Sequence, residues 1–381
     1  MNQVIEIYDY KRVPLSEMER VNRKGIYPYC GANGILDYID DYIYDGEYIL
    51  LAEDGGSYNK YEESSYIMTG KFWVNNHAHI LQALKTKTRN KFIMYLLNYM
   101  DLRSYIVGST RVKLNQEDLK KIRINLPSLP EQQKITEILS TIDEVIEKIN
   151  QTIEKTEQLK QSLMQDLLTK GIGHKEFKKT EIGRIPKEWE VVKLSDIVLD
   201  FIGGGTPSTI NKNYWKGKIP WMTSAYIINK YIIDGQEYIT DEALKNSATN
   251  VIPHNNILIA SRVGIGKVAI NSIDIAISQD LTGLIINRDK ISEEFLYWVL
   301  LTYKSKLKSI SQGSTIKGIL KNELGNLIII LPKPEEQRKI VEILNNIETR
   351  TEKFKIKKNK YGYIKKQLMN DLLTGAKRVK I

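Results

Sequence analysis

The chain has a single cysteine, Cys30, in 381 residues, so no disulfide can form within it, and a reduced compartment such as the cytoplasm is its expected home. With only four histidines beside that cysteine, a metal site would have to borrow distant carboxylates. Long apolar runs are missing too. The longest clear one is Leu327 to Leu331, against the roughly eighteen residues that a bilayer span needs. The N-terminus does not combine basic residues with an apolar core and a cleavage site, as a secretory leader does. A soluble protein is expected.

What the chain does have is one statement made twice. Leu126-Pro127, Glu131-Gln132 and Ile135 recur 205 residues later as Leu331-Pro332, Glu336-Gln337 and Ile340, and Leu163-Met164 with Asp166-Leu167-Leu168-Thr169 recurs as Leu368-Met369 with Asp371-Leu372-Leu373-Thr374. Laying 126–169 on 331–374 gives 20 identities in 44 positions, where unrelated segments give about three. The register reaches upstream as well, from Gly108-Ser109-Thr110 to Gly313-Ser314-Thr315. A fixed offset means two copies of one unit, which suits a chain too long for one compact core.

The repeated segments read as long helices. Ile135, Leu139, Ile142, Ile146, Ile149, Ile153, Thr156, Lys160, Leu163 and Leu167 step by four and three, and eight of these ten are apolar. The second copy runs Ile340, Leu344, Ile347, Thr351, Phe354, Lys358, Tyr361, Lys365, Leu368, Leu372, with seven apolar. That is a coiled-coil seam, and Leu159 and Ile364 beside Lys160 and Lys365 predict a local change of phase there. Pro127 and Pro130, and Pro332 and Pro334, open the helices, with Glu131 and Glu335-Glu336 where the dipole favours acids; Gly171 and Gly375 close them. Forty residues of helix extend roughly 60 Å, more than a domain's own core needs, which points to spacers. A connector of about seventeen residues reaches at most about 60 Å, so an antiparallel return is the easier packing.

The helices separate two segments, 1–125 and 189–330, in which short apolar runs such as Tyr48–Ala52, Ile257–Ala260, Lys267–Ile270 and Leu284–Ile286 lie between Gly, Asn and Asp, with helical stretches near Lys91–Leu102 and Glu293–Ser309. The fold class predicted is α+β: two globules, two long antiparallel helices, an internal pseudo-twofold repeat. Its divisions are 1–127, helix 128–170, linker 171–188, 189–331, helix 332–375 and a basic tail 376–381. The net charge of +10 lies almost wholly at the end, where residues 331–381 hold 14 Lys and Arg against six Asp and Glu. That excess is either an anion-binding feature or a solvated helix face.

Several motifs allow two readings each. Ser261 to Ala269 carries a Gly-x-Gly-x-x-Ala spacing, but strand rather than helix follows it, so a β-turn is predicted in place of a dinucleotide loop. On that turn Arg262 and Lys267 either meet phosphate or a guanine edge or are ordinary surface cations. Gly108-Ser109-Thr110-Arg111 and Gly313-Ser314-Thr315-Ile316-Lys317 either contact phosphate or only start the next element. Tyr214, Trp215, Trp221 and Tyr226 line a groove or fill a core. His77 and His79 fit a strand end better than a metal site, and Glu176-Phe177-Lys178, which resembles the tail of a nuclease motif, lies in the charged linker with no structured acidic partner apparent nearby. There is no Asn-Pro-Pro-Tyr or Asp-Pro-Pro-Tyr run for a flipped base and no Gly-x-x-x-x-Gly-Lys-Ser/Thr loop, so the chain is expected to do no chemistry alone.

Leu-Pro-x-x-x-Glu-Gln before a long helix, the closing Leu-Met-x-Asp-Leu-Leu-Thr, and the run from Gly203-Gly204-Gly205-Thr206-Pro207 through Tyr214-Trp215-Lys216-Gly217 to Ile219-Pro220-Trp221 together resemble the specificity subunit of a Type I restriction-modification system. The first globule departs from that run and offers Ile26-Tyr27-Pro28-Tyr29-Cys30-Gly31-Ala32-Asn33-Gly34, a form that also looks like the family's recognition domains. The resemblance implies that each globule is a target recognition domain for part of a bipartite double-stranded DNA site, with Thr206 and Lys216 joining the DNA-contact candidates. It also implies that the long helices dock two methyltransferase subunits and, beyond them, restriction subunits, with Glu131, Gln132, Ile135, Leu139, Glu336, Gln337, Ile340 and Leu344 on the docking helices. S-adenosylmethionine would bind in the partners. The rival expectations are a coiled-coil scaffold that reads no DNA, and a stand-alone nuclease or methylase.

Overall fold

A computed structural model describes residues 1–108, 112–311 and 318–380. The chain divides into two units, Met1–Thr152 with Phe354–Ile381, and Ile153–Lys353. The division passes through the middle of both long helices, Leu129–Lys170 and Pro334–Leu373. Each unit therefore owns one globule and two half-helices.

In the first unit a six-stranded sheet is built from β1 (Ile5–Ile7), β2 (Lys24–Gly31), β3 (Gly34–Ile39), β4 (Tyr44–Ala52), β5 (Ser65–Val74) and β6 (Ala78–Ala83), in the order β1-β6-β4-β5-β2-β3. Every pairing is antiparallel except β2 with β5. The apolar run on β4 is explained by burial on both faces: Ile49 and Leu51 pack with Ile93 and Leu97 of the helix Asn90–Tyr99, and Leu50 packs with Cys30, Phe72 and Ile80 behind the sheet. Burial pushes the Cys30 thiol up to about 12, so it is an inert core group.

In the second unit β7 (Val198–Gly203), β8 (Tyr231–Ile232), β9 (Asn256–Ala260), β10 (Val268–Asn271) and β11 (Leu281–Ile286) run in the order β7-β11-β9-β10-β8. The pairings are again antiparallel except the last, β10 with β8. This is the order and sense of the first sheet from β1 to β2. A further sheet of Glu237–Ile239, Ile219–Met222, Ile275–Ile277 and Asn250–Ile252 covers its second face.

Within each unit the half-helices pack antiparallel. In the first, Ile135 and Leu139 share a cluster with Met369, Leu372 and Leu373, and further along Lys365 meets Asp143 at 2.6 Å. In the second, Leu167 and Leu168 share a cluster with Ile340 and Leu344. The predicted change of phase does not occur at Lys160. Leu159 is 51% exposed, whereas Lys160 stays on the seam with its stem covered and its ammonium on Glu157 at 2.9 Å, because a lysine can bury its methylenes and keep its charge at the rim. Among the described residues no helix is long and apolar enough to cross a membrane.

The linker is more structured than its composition predicts. Phe177–Thr180 pairs with Gly183–Pro186, and Ile185 and Trp189 are buried in the unit's core. The expected basic tail also folds back, placing Arg378 on Glu131 and Val379 against the helix cluster.

Candidate nucleic-acid interface

Each sheet, in its own unit, has a corner with the same main-chain hydrogen bonds. Where β4 ends, Glu53 N donates to His77 O at 2.9 Å and Glu53 O accepts from Leu114 N at 2.8 Å; where β9 ends, Ser261 N donates to Asp280 O at 2.9 Å and Ser261 O accepts from Ile319 N at 2.8 Å. Leu114 and Ile319 follow the recurring Gly-Ser-Thr segments by the same number of residues. Ser109, Thr110, Arg111, Ser314, Thr315 and Lys317 lie outside the described residues. Their flanks do not: Val107 and Lys113 exchange both main-chain hydrogen bonds at 2.9 Å.

In the second unit the predicted turn is a turn. It joins antiparallel β9 and β10, with Gly264 at φ +73° and Gly266 at φ +90°. Both values favour glycine, and a Cβ on Gly266 would also stand 2.7 Å from the Lys304 side chain. Arg262 and Lys267 line one open concavity with Lys304 and Lys308 of the helix Lys304–Ser309 and with Ser311. Among the described residues none of these four cations has a carboxylate partner; Lys267 Nζ donates to Ser224 O at 3.3 Å. Sequence reasoning missed Lys304 and Lys308. The short loop between the helices Glu293–Thr302 and Lys304–Ser309 turns them toward the strand turn, and the only available signal was the run of alternating lysines from 304 to 308.

The corner of the first unit is ionic but differently so. His79, 1% exposed, has Nδ1 2.6 Å from Asp9 and Nε2 2.7 Å from Leu114 O, while Glu53 bonds Arg12 and lies 2.6 Å from Lys113. Burial alone would raise the Glu53 carboxyl, but Lys113 and Arg12 hold it below its ordinary range. Asp9, Glu53 and His79 have their ligand atoms close enough to share a metal ion, yet the cationic place beside Glu53 is taken by Arg12 and Lys113. His77, the other histidine of the pair, meets Asp54 at 2.7 Å.

The Gly-rich and Trp-containing stretches of the second unit are structural. A Cβ on Gly204 would lie 2.1 Å from Ile277 O, and Trp221, 4% exposed, donates to Gly205 O at 3.2 Å and meets the Trp215 ring edge-on at 5.0 Å. Tyr214 packs on this cluster, and Tyr226 on the cluster between the two sheets. Thr206 is exposed and donates to Gln279 at 2.5 Å; Lys216 is exposed, 3.4 Å from Asn213.

The eight docking-helix candidates point inward. Ile135, Leu139, Ile340 and Leu344 are at most 1% exposed. Gln132 accepts from Thr88 Oγ1 at 2.7 Å and donates to Lys87 O and Pro127 O at 3.0 Å. Gln337 accepts from Ser292 N at 3.2 Å and donates to Lys290 O and Pro332 O at 2.9 Å. Glu131 receives Arg378, and Glu336 receives Trp189 Nε1 at 2.8 Å, Ile172 N at 2.9 Å and His174 at 2.8 Å. These side chains fasten each helix to its own globule, so any docking face lies on the exposed side of the same helices. Periodicity alone does not separate an inner fastening face from an outer docking one.

Arg378 holds the Glu131 carboxyl below its ordinary range. A depressed carboxyl stabilises the fold above the unfolded-state value and loses that contribution as pH falls through the folded one. Arg378→Ala should therefore lower the denaturation midpoint near neutrality and converge with the unmodified protein in acid. A difference of constant size across that range would disprove the coupling.

Residues 1–158 and 186–361 match the family model of the type I restriction modification DNA specificity domain. The chain is similar to the type I restriction enzyme MjaVIII specificity subunit of Methanocaldococcus jannaschii, with 30% identity over 382 residues, covering 94% of this chain and 87% of the relative. Among solved structures, the type-I restriction-modification S subunit from M. genitalium aligns over 98% of this chain and 94% of its own with TM-score 0.64 and 18% identity. A chain from a structure of type I R-M complex assembly aligns over 97% of each chain with TM-score 0.59 and 15% identity. At such identities the likeness is one of fold.

Proposed function

Because the chain belongs to the type I restriction-modification DNA specificity family, we propose that its two units read the two unlike halves of one bipartite DNA site while its long helices carry the docking faces for methyltransferase subunits. One observation carries this reading: the same strand order and the same corner hydrogen bonds are built twice from different residues. A duplicated frame with divergent loops is what two readers of different sequences require. Specificity comes from loop side chains on base edges in the major groove, and affinity from Lys and Arg on phosphates and from the partners.

Ser109, Thr110, Arg111, Thr206, Lys216, Arg262, Lys267, Ser314, Thr315 and Lys317 are the proposed contact residues. Methyl transfer to an extruded adenine, with S-adenosylmethionine, belongs to the methyltransferase subunits, and cleavage to restriction subunits beyond them. The proposed compartment is the cytoplasm. The helices act as the ruler of the site. Inserting the same number of helical residues into both should lengthen the unspecified gap between the halves, as mapped by methylated adenines in host DNA. An unchanged methylation site in the insertion variant sinks the ruler, and no loss of modified adenines on deleting the gene sinks the whole reading.

A further inference from the structure

The concavity of the second unit gathers four cations from two elements, and among the described residues none is neutralised by an acid. Taking the DNA-reading proposal as its premise, we propose that Arg262, Lys267, Lys304 and Lys308 clamp consecutive phosphates of one DNA strand, and that they position the second reader without reading bases.

Three observations support phosphate over base. The side chains around the concavity offer donors from Arg262, Lys267, Lys304 and Lys308, with only the Ser311 hydroxyl as an acceptor. The four cationic heads cannot accept from the amino groups of adenine or cytosine, which leaves phosphates and guanine acceptors as their partners. Three of the four cations are lysines, compact point charges suited to phosphate, whereas guanine readout favours a bidentate arginine held in plane. Finally, this many uncompensated cations facing one space repel each other unless more than one anionic charge enters, and a DNA strand supplies anions in series.

The matching corner of the first unit has no such site among its described residues. Asp54 stands where the second unit has Arg262, and Arg12 and Lys113 are spent on Glu53. Among the described residues the clamp thus belongs to one reader.

The test uses the chain assembled with its own methyltransferase subunits and a duplex carrying its mapped site, with Lys304→Ala, Lys308→Ala and the double variant. Both lysines are exposed, so the fold should survive, which circular dichroism checks. Each change should weaken binding roughly tenfold and lower the slope of log affinity against log salt by about 0.9, equally for cognate and unrelated duplexes. The pattern of methylated sites should stay the same, and inorganic phosphate at matched ionic strength should not substitute for the duplex. An unchanged slope overturns the clamp, and so does a changed methylation pattern, which would assign these side chains to base readout. If the unmodified complex itself failed to prefer its site, the DNA-reading proposal would fall first, so the two failures are distinguishable.

Discussion

Gln337→Ala is expected to destabilise the second unit by about 3 kcal/mol or more, a large share of a domain's total stability. The side chain is 1% exposed and meets three main-chain groups, the carbonyls of Lys290 and Pro332 and the amide of Ser292. Truncation orphans all three where water does not reach, and each buried orphan costs about 1–3 kcal/mol. Gln132→Ala should do the same to the first unit, since Thr88, Lys87 and Pro127 lose their partner. A sharper version is Gln337→Glu. A carboxylate cannot donate to two carbonyls, so the folded state will favour the protonated acid and raise that carboxyl above its unfolded value. Stability of this variant should therefore be greatest in mild acid and fall as pH rises through the folded-state value, opposite in sign to the Glu131 effect. Urea midpoints over that pH range decide the matter: a loss below about 1 kcal/mol for the alanine variant would mean that water or a neighbour replaces the glutamine.

The Glu-Gln pair was legible in the sequence because it recurs at the fixed offset, but its meaning was not. As a resemblance it marked the helices expected to dock partner subunits. In the structure Gln132 and Gln337 point inward and hold each helix to its reader. The helices themselves were readable because a seam of apolar residues every three or four positions has few alternative folds. The shared sheet order was harder to read: Ile49-Leu50-Leu51-Ala52 at the end of β4 and Ile257-Leu258-Ile259-Ala260 at the end of β9 agree at three of four positions, but they lie 208 residues apart, outside the 205-residue register of the long helices. The basic corner was legible only in part. Arg262 and Lys267 were found because they sit on a turn. Lys304 and Lys308 lie on a short amphipathic helix, where cations in the pattern KSKLKS look like an ordinary solvated face until Leu307 is seen buried and the lysines turned toward the strand turn.

Gly217 and Lys216 should separate framework from contact within a single motif. A Cβ on Gly217 would stand 1.8 Å from Ile239 O and 2.1 Å from Ile239 C, distances that no side-chain adjustment relieves because both atoms are backbone. Ile239 is itself paired with Ile219 in the sheet beneath Trp221, so the chain cannot yield without breaking that register. Gly217→Ala should thus cost more than about 3 kcal/mol, at the upper end for overpacking, and leave the second unit largely unfolded. Lys216, its neighbour, is exposed and makes one long contact to Asn213. Lys216→Ala should change stability by no more than about 0.5 kcal/mol, while weakening DNA binding by the assembled complex if this lysine meets a phosphate as proposed. Near-ultraviolet circular dichroism of Trp215 and Trp221 reports the framework, and duplex titration reports the contact. A folded Gly217→Ala variant would show that the chain can move away from Ile239, and the tight approach would then be no constraint on this family motif.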